Sequence, residues 1–327
     1  MRIFKLLILI IFVGPFSLMA QQTEDISPKG KPFMKIFSNF HAVDLTGDIA
    51  PGFQLKRAYL GYSYNFNPNF SAKINIDVGN PGVGSLQHST FIKNAEMTYK
   101  TGKFSVNFGM ISTKLFKVQE ELWGHRYLMK TFSDEYKLGH SADLGVNVSF
   151  KPISFITVDA IVLNGEGYKN EQADSTFKTG VGVTFEPIKK LQLRAYYETM
   201  PDKVNQNTLA AFVGYHSNKL DFGIEYNKQW NHHRHLDQDY GGLSSYFSYH
   251  INKRFELFGR YDNLSSVEKE GEMNPWNLEK DGQMYMLGFE ITAVKGIKVA
   301  PNFRGWKSAI DGSSMIFSAF VNVEIAI

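Results

Sequence analysis

Residues 69–79, NFSAKINIDVG, alternate between apolar and polar side chains without a break. In an extended strand, successive side chains point to opposite faces of the sheet. One face of this strand would carry hydrocarbon only, and the other would carry Lys73 and Asp77. A wall with lipid on one side and water on the other needs such a strand. The stretch therefore predicts a membrane-spanning β-sheet and suggests a channel.

The same alternation recurs along the chain and predicts sixteen strands. Their approximate ranges are 33–44, 53–66, 69–79, 91–100, 104–112, 141–150, 154–163, 177–186, 190–199, 208–216, 219–229, 242–251, 254–262, 283–293, 296–305 and 314–327. Tight turns such as Asn67-Pro68 follow the even-numbered strands, whereas the other links are longer. This succession is typical of an all-β transmembrane antiparallel barrel with short periplasmic turns and long extracellular loops.

Aromatic residues beside the tight turns predict a girdle where the wall meets the lipid headgroups. They are Tyr64, Phe66, Phe70, Tyr99, Phe104, Phe150, Phe155, Phe185, Tyr215, Phe255 and Phe289. The alternative is a soluble β-sandwich whose aromatic residues fill a core. Sandwiches do not usually sustain one-sided alternation through sixteen strands, so the pattern favours the barrel.

The first twenty residues have the layout of a secretory signal peptide. Arg2 and Lys5 precede an apolar run, and Ala20 closes the segment before two glutamines. A single membrane anchor is the alternative, but the run is shorter than the roughly 20 residues that a spanning helix needs. The predicted division is a signal peptide over 1–20, a short segment over 21–31 and the barrel over 32–327. Export of a barrel predicts the outer membrane of a Gram-negative bacterium.

Composition limits the classes of partner. Removing Arg2 and Lys5 from the 35 basic residues leaves 33 against 32 acidic ones, so the formal charge falls from +3 to +1. This balance gives no argument for nucleic acid. With no cysteine in the chain, neither disulfides nor a cysteine-linked lipid is expected. The expected partners are outer-membrane lipid and lipopolysaccharide, together with small solutes and ions.

The polar faces of the strands supply candidate pore-lining residues. The bases are Arg57, Lys73, Lys178, Arg194, Arg260, Lys298 and Arg304, and the acids are Asp77, Glu96, Asp143, Asp159, Glu198, Asp221, Glu225, Glu256, Asp262 and Glu290. Unpaired ions in a dry core cost several kcal/mol each. The charges therefore predict a wet lumen or a paired network, and sixteen strands leave room for an aqueous channel.

The longest link, 113–140, is far more apolar and aromatic than a solvated loop needs to be. We expect it to fold inward and narrow the lumen, although an external loop packed on its neighbours or on an adjacent subunit is the alternative. Val118, Leu122 and Arg126 are spaced as on one face of a helix, which predicts a helical turn within 117–130. The candidate constriction residues are Lys114, Lys117, Glu120, Glu121, Trp123, Arg126, Lys130, Asp134 and Glu135.

Three short motifs stand in and after this link: ELWGHRY at 121–127, SDEY at 133–136 and SADLG at 141–145. They resemble the phosphate-selective porin O and P family, and particularly its relatives in the Bacteroidetes. The resemblance implies a sixteen-stranded barrel, usually a homotrimer, whose third loop enters the lumen and whose basic residues attract anions such as phosphate. Two features depart from the family: acids outnumber bases on the predicted lumen face, and the chain ends in Ile327 instead of an aromatic residue. Phosphate selectivity is therefore not carried over.

Metal binding and enzymatic catalysis have weaker support in the sequence. The histidines of 231–235 are metal-ligand types, but adjacent residues on a loop rarely reach one ion with good geometry. The acidic link 263–281 is interpreted as solvated. No G-x-S-x-G, Walker A or H-E-x-x-H motif occurs, so we expect no enzyme, no cofactor and no metal site. The prediction is a porin for passive diffusion of ions and small hydrophilic solutes. The alternatives are a plugged barrel acting as an adhesin or docking surface, and an outer-membrane barrel enzyme.

Overall fold

The computed structural model describes residues 29–45, 48–80 and 88–327. Within them, sixteen antiparallel strands each pair with their neighbours in sequence, and β1 pairs with β16 to close a barrel. The predicted all-β barrel of sixteen strands is confirmed. The proposed signal peptide, 1–20, lies outside the described residues.

The strand bounds agree with the predicted ranges to within a few residues at most ends. They are β1 Lys29–Leu45, β2 Asp48–Asn65, β3 Phe70–Gly79, β4 Ser89–Thr101, β5 Phe104–Ser112, β6 Ala142–Ile153, β7 Ile156–Leu163, β8 Lys178–Ile188, β9 Leu191–Met200, β10 Gln206–His216, β11 Leu220–Trp230, β12 Tyr240–His250, β13 Phe255–Ser266, β14 Gly282–Val294, β15 Ile297–Ser308 and β16 Met315–Ala326.

Side chains hold several of the tight turns, which all lie at one end of the barrel, here called the turn rim. The Asn67 carboxamide oxygen accepts hydrogen bonds from the amides of Asn69 and Phe70. Asn252 does the same for the turn after β12. Such Asx turns replace the ladder bonds that the chain loses where it reverses. The opposite end, the loop rim, carries the longer links and also the end of the first hairpin, where Leu45 pairs with Asp48.

Aromatic residues pair across neighbouring strands on the outer surface near the turn rim. Ring centroids lie 4.4 Å apart for Phe104 and Phe150, and 4.6 Å apart for Phe70 and Tyr99. Phe155 pairs in the same way with Phe185, and Phe255 with Phe289. The predicted girdle therefore exists as a row of cross-strand pairs, which also stabilise the sheet.

The first hairpin is longer than the sequence indicates. A link was predicted between about 45 and 52, but β1 and β2 pair from Lys29 with Asn65 as far as Leu45 with Asp48. Gly52 and Pro51 disfavour a strand by local propensity. Pairing with β1 outweighs that preference here, while β3 pairs with β2 only from Ala58 onward.

Two β-bulges change which side chains point inward. In β2 the register passes from Arg57 to Leu55, so Lys56 is an extra residue. In β4 it passes from Asn94 to Ile92, so Lys93 is extra. A bulge places two successive residues on one face of the strand. Each bulge therefore adds one lysine to the interior that strict alternation assigns to the outside.

Residues 113–141, here called the inner loop, leave the barrel wall after β5 and fold inside it. They contain two short helices, α1 at Lys117–Trp123 and α2 at Phe132–Glu135. Helix α1 ends at Gly124, whose φ of 65° is in the left-handed region that favours glycine. The inward fold and the helical turn are confirmed. Among the described residues, no helix has the length and apolar character needed to cross a membrane.

Candidate functional site

The inner loop is docked by a buried apolar cluster on the interior wall. Trp123 is 1% exposed, and its ring centroid lies 5.2 Å from that of Tyr246 and 6.4 Å from that of Phe258. Leu128 is fully buried in the same cluster. Gly214 of β10 leaves the space for Leu122, because a Cβ there would lie 2.7 Å from the leucine methyl. The loop is thus packed as a core element.

Backbone groups of the inner loop are also bonded to the wall. Glu225 accepts from the Phe132 amide at 3.3 Å, and Gln229 donates to the Leu138 carbonyl at 2.7 Å. Arg304 and Lys56 both donate to the Leu128 carbonyl, at 3.2 Å and 3.0 Å. These bonds satisfy backbone groups that a buried loop would otherwise leave unpaired. They fix the loop to strands on both sides of the β1–β16 closure.

Many of the predicted pore-lining charges lie under this loop in paired form. Arg194 is held by Asp159 at 2.8 Å and donates to the Lys114 carbonyl. Arg260 pairs with Asp262 at 2.8 Å and donates to the Lys130 carbonyl. Both guanidinium groups are buried. The interior therefore combines the two predicted arrangements, because a paired network supports the loop and a water-accessible space remains beside it.

That space consists of two adjoining cavities with volumes of about 490 Å³ and 200 Å³. Arg57, Arg126 and Lys130 line both of them. The larger one opens among the links at the loop rim, where it also contacts His140, Tyr168 and His232. We call the two together the basic vestibule.

Lysine and arginine dominate the basic vestibule. Eight of them line it, Lys56, Arg57, Arg126, Lys130, Lys137, Lys169, Lys178 and Arg234, against three acids, Asp134, Glu135 and Glu166. Several of the bases have a carboxylate partner: Asp77 for Arg57 at 2.9 Å, Glu198 for Lys178 at 3.3 Å, and Asp174 for Arg234. Arg57 and Lys178 line the cavities, whereas their partners Asp77 and Glu198 do not. Anions would be favoured there, with the field moderated by the pairs.

Two interior cations that strict alternation missed, Lys56 and Lys93, come from the bulges. Lys56 lines the smaller cavity. Lys93 lies with its ammonium 4.9 Å from the Tyr59 ring centroid, 5.7 Å from that of Tyr168 and 3.4 Å from the Tyr59 hydroxyl. Cation–π contact accommodates a buried ammonium without a carboxylate. In the sequence, a break in the two-residue alternation of apolar and polar side chains would have been the only sign that either lysine points inward.

The protonation states of titratable residues in the loops are consistent with the excess of bases over acids in the basic vestibule. Burial lowers the pKa of His140 to about 4 and that of His232 to about 3, so both imidazoles are neutral near pH 7. Burial alone would raise the pKa of the Asp134 carboxyl, but the Arg126 guanidinium outweighs burial and holds that pKa well below its usual range. The vestibule charge thus comes from lysine, arginine and ionised acids.

The remaining predicted pore-lining residues lie outside the basic vestibule. Near the turn rim, Lys73 pairs with Glu96 at 3.8 Å. Asp143 accepts from the amides of Leu144 and Gly165 and so holds the start of the link after β7. Asp221, Glu256, Glu290 and Lys298 join a chain of titratable groups that is described below.

The predicted constriction residues all lie on the docked loop. Lys117 pairs with Glu120 and Glu121 at 3.4 Å and 3.6 Å. Arg126 joins Glu120 to Asp134 at 2.8 Å and 2.5 Å. Lys130 reaches Asp134 at 3.5 Å, and Glu135 lines the smaller cavity. Arg126 and Lys130 thus face the remaining space. Their role in selecting solutes stays a prediction.

No group of three or more histidine or acidic side chains within the described residues is placed to hold a metal ion. In the 231–235 segment, the His232 ring stacks on Trp276 with centroids 5.6 Å apart, and its Nδ1 bonds Gln229. Asp239 accepts from the Asn231 amide. These contacts tie the loop at the β11 end to the link 267–281.

Replacing Trp123 with alanine tests how firmly the loop is docked. Trp123→Ala removes a buried ring and the bond from its Nε1 to the Met129 carbonyl at 2.8 Å. We expect a loss of about 3–5 kcal/mol in the free energy of unfolding, measured by urea titration in lipid vesicles. Trp123→Phe, which keeps most of the apolar area, should lose clearly less. A loss below about 1 kcal/mol for the alanine variant would show that the loop contributes little to stability.

The barrel is similar in fold to solved outer-membrane proteins. It matches OmpF of Salmonella typhi, solved with daunomycin, with a TM-score of 0.72 at 11% identity, covering 94% of this chain and 100% of that one. The outer-membrane channel DcaP of Acinetobacter baumannii matches with a TM-score of 0.66 at 10% identity over 94% and 100%. OmpT of Vibrio cholerae, in a loop-deletion form, matches with a TM-score of 0.66 at 14% identity over 92% and 100%.

Neither a family model nor a curated protein matches the chain. The resemblance to the phosphate-selective porin family is therefore not confirmed, whereas the fold shared with outer-membrane porins is shown. The exclusion of an enzyme, made from missing motifs, was wrong. Structures similar to the barrel include several of OmpT, and a fold shared at 13–14% identity leaves catalytic activity open.

Proposed function

We propose that the chain forms an outer-membrane channel through which ions and small hydrophilic solutes diffuse passively, with a preference for anions. The basic vestibule carries the proposal, because its eight bases and three acids line the space that the inner loop leaves open. Rings of charge at a constriction select permeant ions by sign. The inner loop would restrict solutes by size, and Arg57, Arg126 and Lys130 would select them by charge.

The path proposed for a solute runs from the loop rim through the basic vestibule and past the inner loop. Toward the turn rim it would meet Lys73, whose side chain is 34% exposed beside Glu96. On this account phosphate is one of several small anions that could pass. The account includes secretion by a cleaved signal peptide over 1–20, lipid and lipopolysaccharide around the barrel, and assembly as a homotrimer. One of the similar structures, of OmpT, is described as a trimer form.

Liposome swelling tests the diffusion channel itself. Vesicles that contain the purified protein should swell quickly in arabinose and more slowly in a tetrasaccharide, because the docked loop leaves a narrow passage. Vesicles with the heat-denatured protein serve as the control. Equal rates for the native and the denatured protein would reject a diffusion channel and leave a plugged barrel.

A further inference from the structure

An alternating chain of imidazoles and carboxylates runs along the inside of the barrel near the turn rim. Its histidines are His216, His250 and His125, and its acids are Asp221, Glu256 and Glu290, with Lys298 at the end. The successive N to O distances are 2.5, 3.1, 3.0, 2.8, 3.1 and 2.9 Å. The groups come in order from β10, β11, β12, β13, the inner loop, β14 and β15. We call them the histidine–carboxylate chain.

The pairing register explains why the inner loop enters this chain. Glu256 of β13 and Glu290 of β14 are direct cross-strand partners. Like charges in that position repel each other and destabilise a sheet. His125 lies between them, with Nε2 2.8 Å from Glu256 and Nδ1 3.1 Å from Glu290. The inner loop thus supplies the cation that the wall lacks at this point.

Two of the imidazoles have a carboxylate beside each of their ring nitrogens. Both ring nitrogens of His125 face carboxylate oxygens, and so do both ring nitrogens of His250. Only the imidazolium form has two N–H donors. A neutral ring would turn one lone pair toward a carboxylate, losing a charged hydrogen bond and adding repulsion. Ser248, 2.9 Å from the His125 Nε2, can donate to a neutral ring but cannot remove that repulsion.

The solvent exposure of the side chains differs along the histidine–carboxylate chain. The His216 side chain is 67% exposed at the turn rim and that of His250 is 28% exposed, whereas those of His125 and Glu290 are each 3% exposed. The histidine–carboxylate chain therefore runs from a solvent-exposed end at the turn rim to a buried centre. The other titratable groups that face the centre are Tyr127, which donates to Glu290 at 2.9 Å, and Lys298. Glu324 is the cross-strand partner of Lys298.

We propose that the histidine–carboxylate chain is a pH-dependent clamp that holds the inner loop on the barrel wall and releases it when His125 loses its proton. Burial alone would lower the pKa of His125, but Glu256 and Glu290 outweigh burial and raise that pKa above its usual range. A raised pKa stabilises docking fully below the ordinary value near 6.5 and withdraws that support as pH rises through the raised one.

Hydrogen exchange on the full-length protein in bilayers tests the clamp without assuming a channel. After correction for intrinsic base catalysis, exchange of residues 117–136 should accelerate about tenfold or more between pH 6 and pH 9, as expected for loss of a charged hydrogen bond. His125→Gln should already exchange fast at pH 6 and respond little to pH. His41→Gln is the matched control, since the His41 ring bonds Asn39 and His41 is not part of the histidine–carboxylate chain, so this variant should behave as wild type.

A second variant keeps the test informative if His125→Gln does not fold. Glu256→Gln removes one of the two opposed carboxylates, so docking should persist at pH 6 with a smaller change at pH 9. Exchange of 117–136 that is independent of pH in the wild type, or equal in wild type and Glu256→Gln, would overturn the clamp. Where the channel also conducts, wild-type conductance should rise from pH 6 to pH 9. A pH-dependent exchange without any conductance would reject the proposed channel and leave the clamp intact.

Discussion

Removal of residues 116–135 should raise the single-channel conductance about threefold or more, because a sixteen-stranded barrel without an inner loop is an open aqueous channel. The deleted segment contains α1 and α2 and the buried Trp123 and Leu128. Its ends remain close, since β5 and β6 are paired neighbours. Single-channel recording in planar bilayers would measure the step size.

The matched control removes residues 269–273 from another link at the loop rim. That segment includes Met273, which is 90% exposed, so its loss should leave the step size unchanged. Both variants must keep the heat-modifiable electrophoretic migration of a folded barrel. An unchanged step after removal of 116–135 would mean that the inner loop does not limit the conducting path.

Replacing Lys56, Lys130 and Lys137 together with glutamate should abolish or invert the preference for anions. The lining charge of the basic vestibule would change from eight bases and three acids to five bases and six acids, that is, from +5 to −1. The sign of fixed charge at a constriction sets which ion is enriched there. The reversal potential under a KCl gradient would measure the change.

A variant with Lys189, Lys190 and Lys253 replaced by glutamate is the control, because it changes the net charge equally at turns of the opposite rim. Its reversal potential should stay close to that of the wild type. Equal shifts in the two triple variants would show that overall charge, and not the basic vestibule, decides selectivity.

The wall was predictable from the sequence because its determinants are local. A period of two, recurring turn residues and aromatic residues beside the turns indicated sixteen strands and the turn girdle. The inner loop was predictable from composition alone, since residues such as Leu128 and Phe132 are too apolar for water. The first hairpin was predicted too short because Gly52 is a poor strand residue, and pairing with β1 compensates for it.

The interior was much less predictable. Lys56 and Lys93 reach it through bulges, which shift the phase at a single residue, so strict alternation undercounts the interior bases. The pairing of His125 with Glu256 and Glu290 joins residues more than one hundred positions apart. Neither the contacts that dock the inner loop nor those of the histidine–carboxylate chain leave a periodic pattern in the sequence. The excess of acids over bases that strict alternation predicts is therefore a property of the strand faces. The space beside the inner loop is lined by more bases than acids.

The central claim is that a water-filled passage with an excess of fixed positive charge runs beside the inner loop. The reversal potential of the wild-type protein in a planar bilayer, under a tenfold KCl gradient at pH 7, tests it most directly. The account predicts stable conductance steps and a reversal potential with the sign of chloride selectivity, with a permeability ratio of chloride to potassium above about 2. A reversal potential at zero or with the sign of potassium selectivity, or the absence of any stable step, would contradict it.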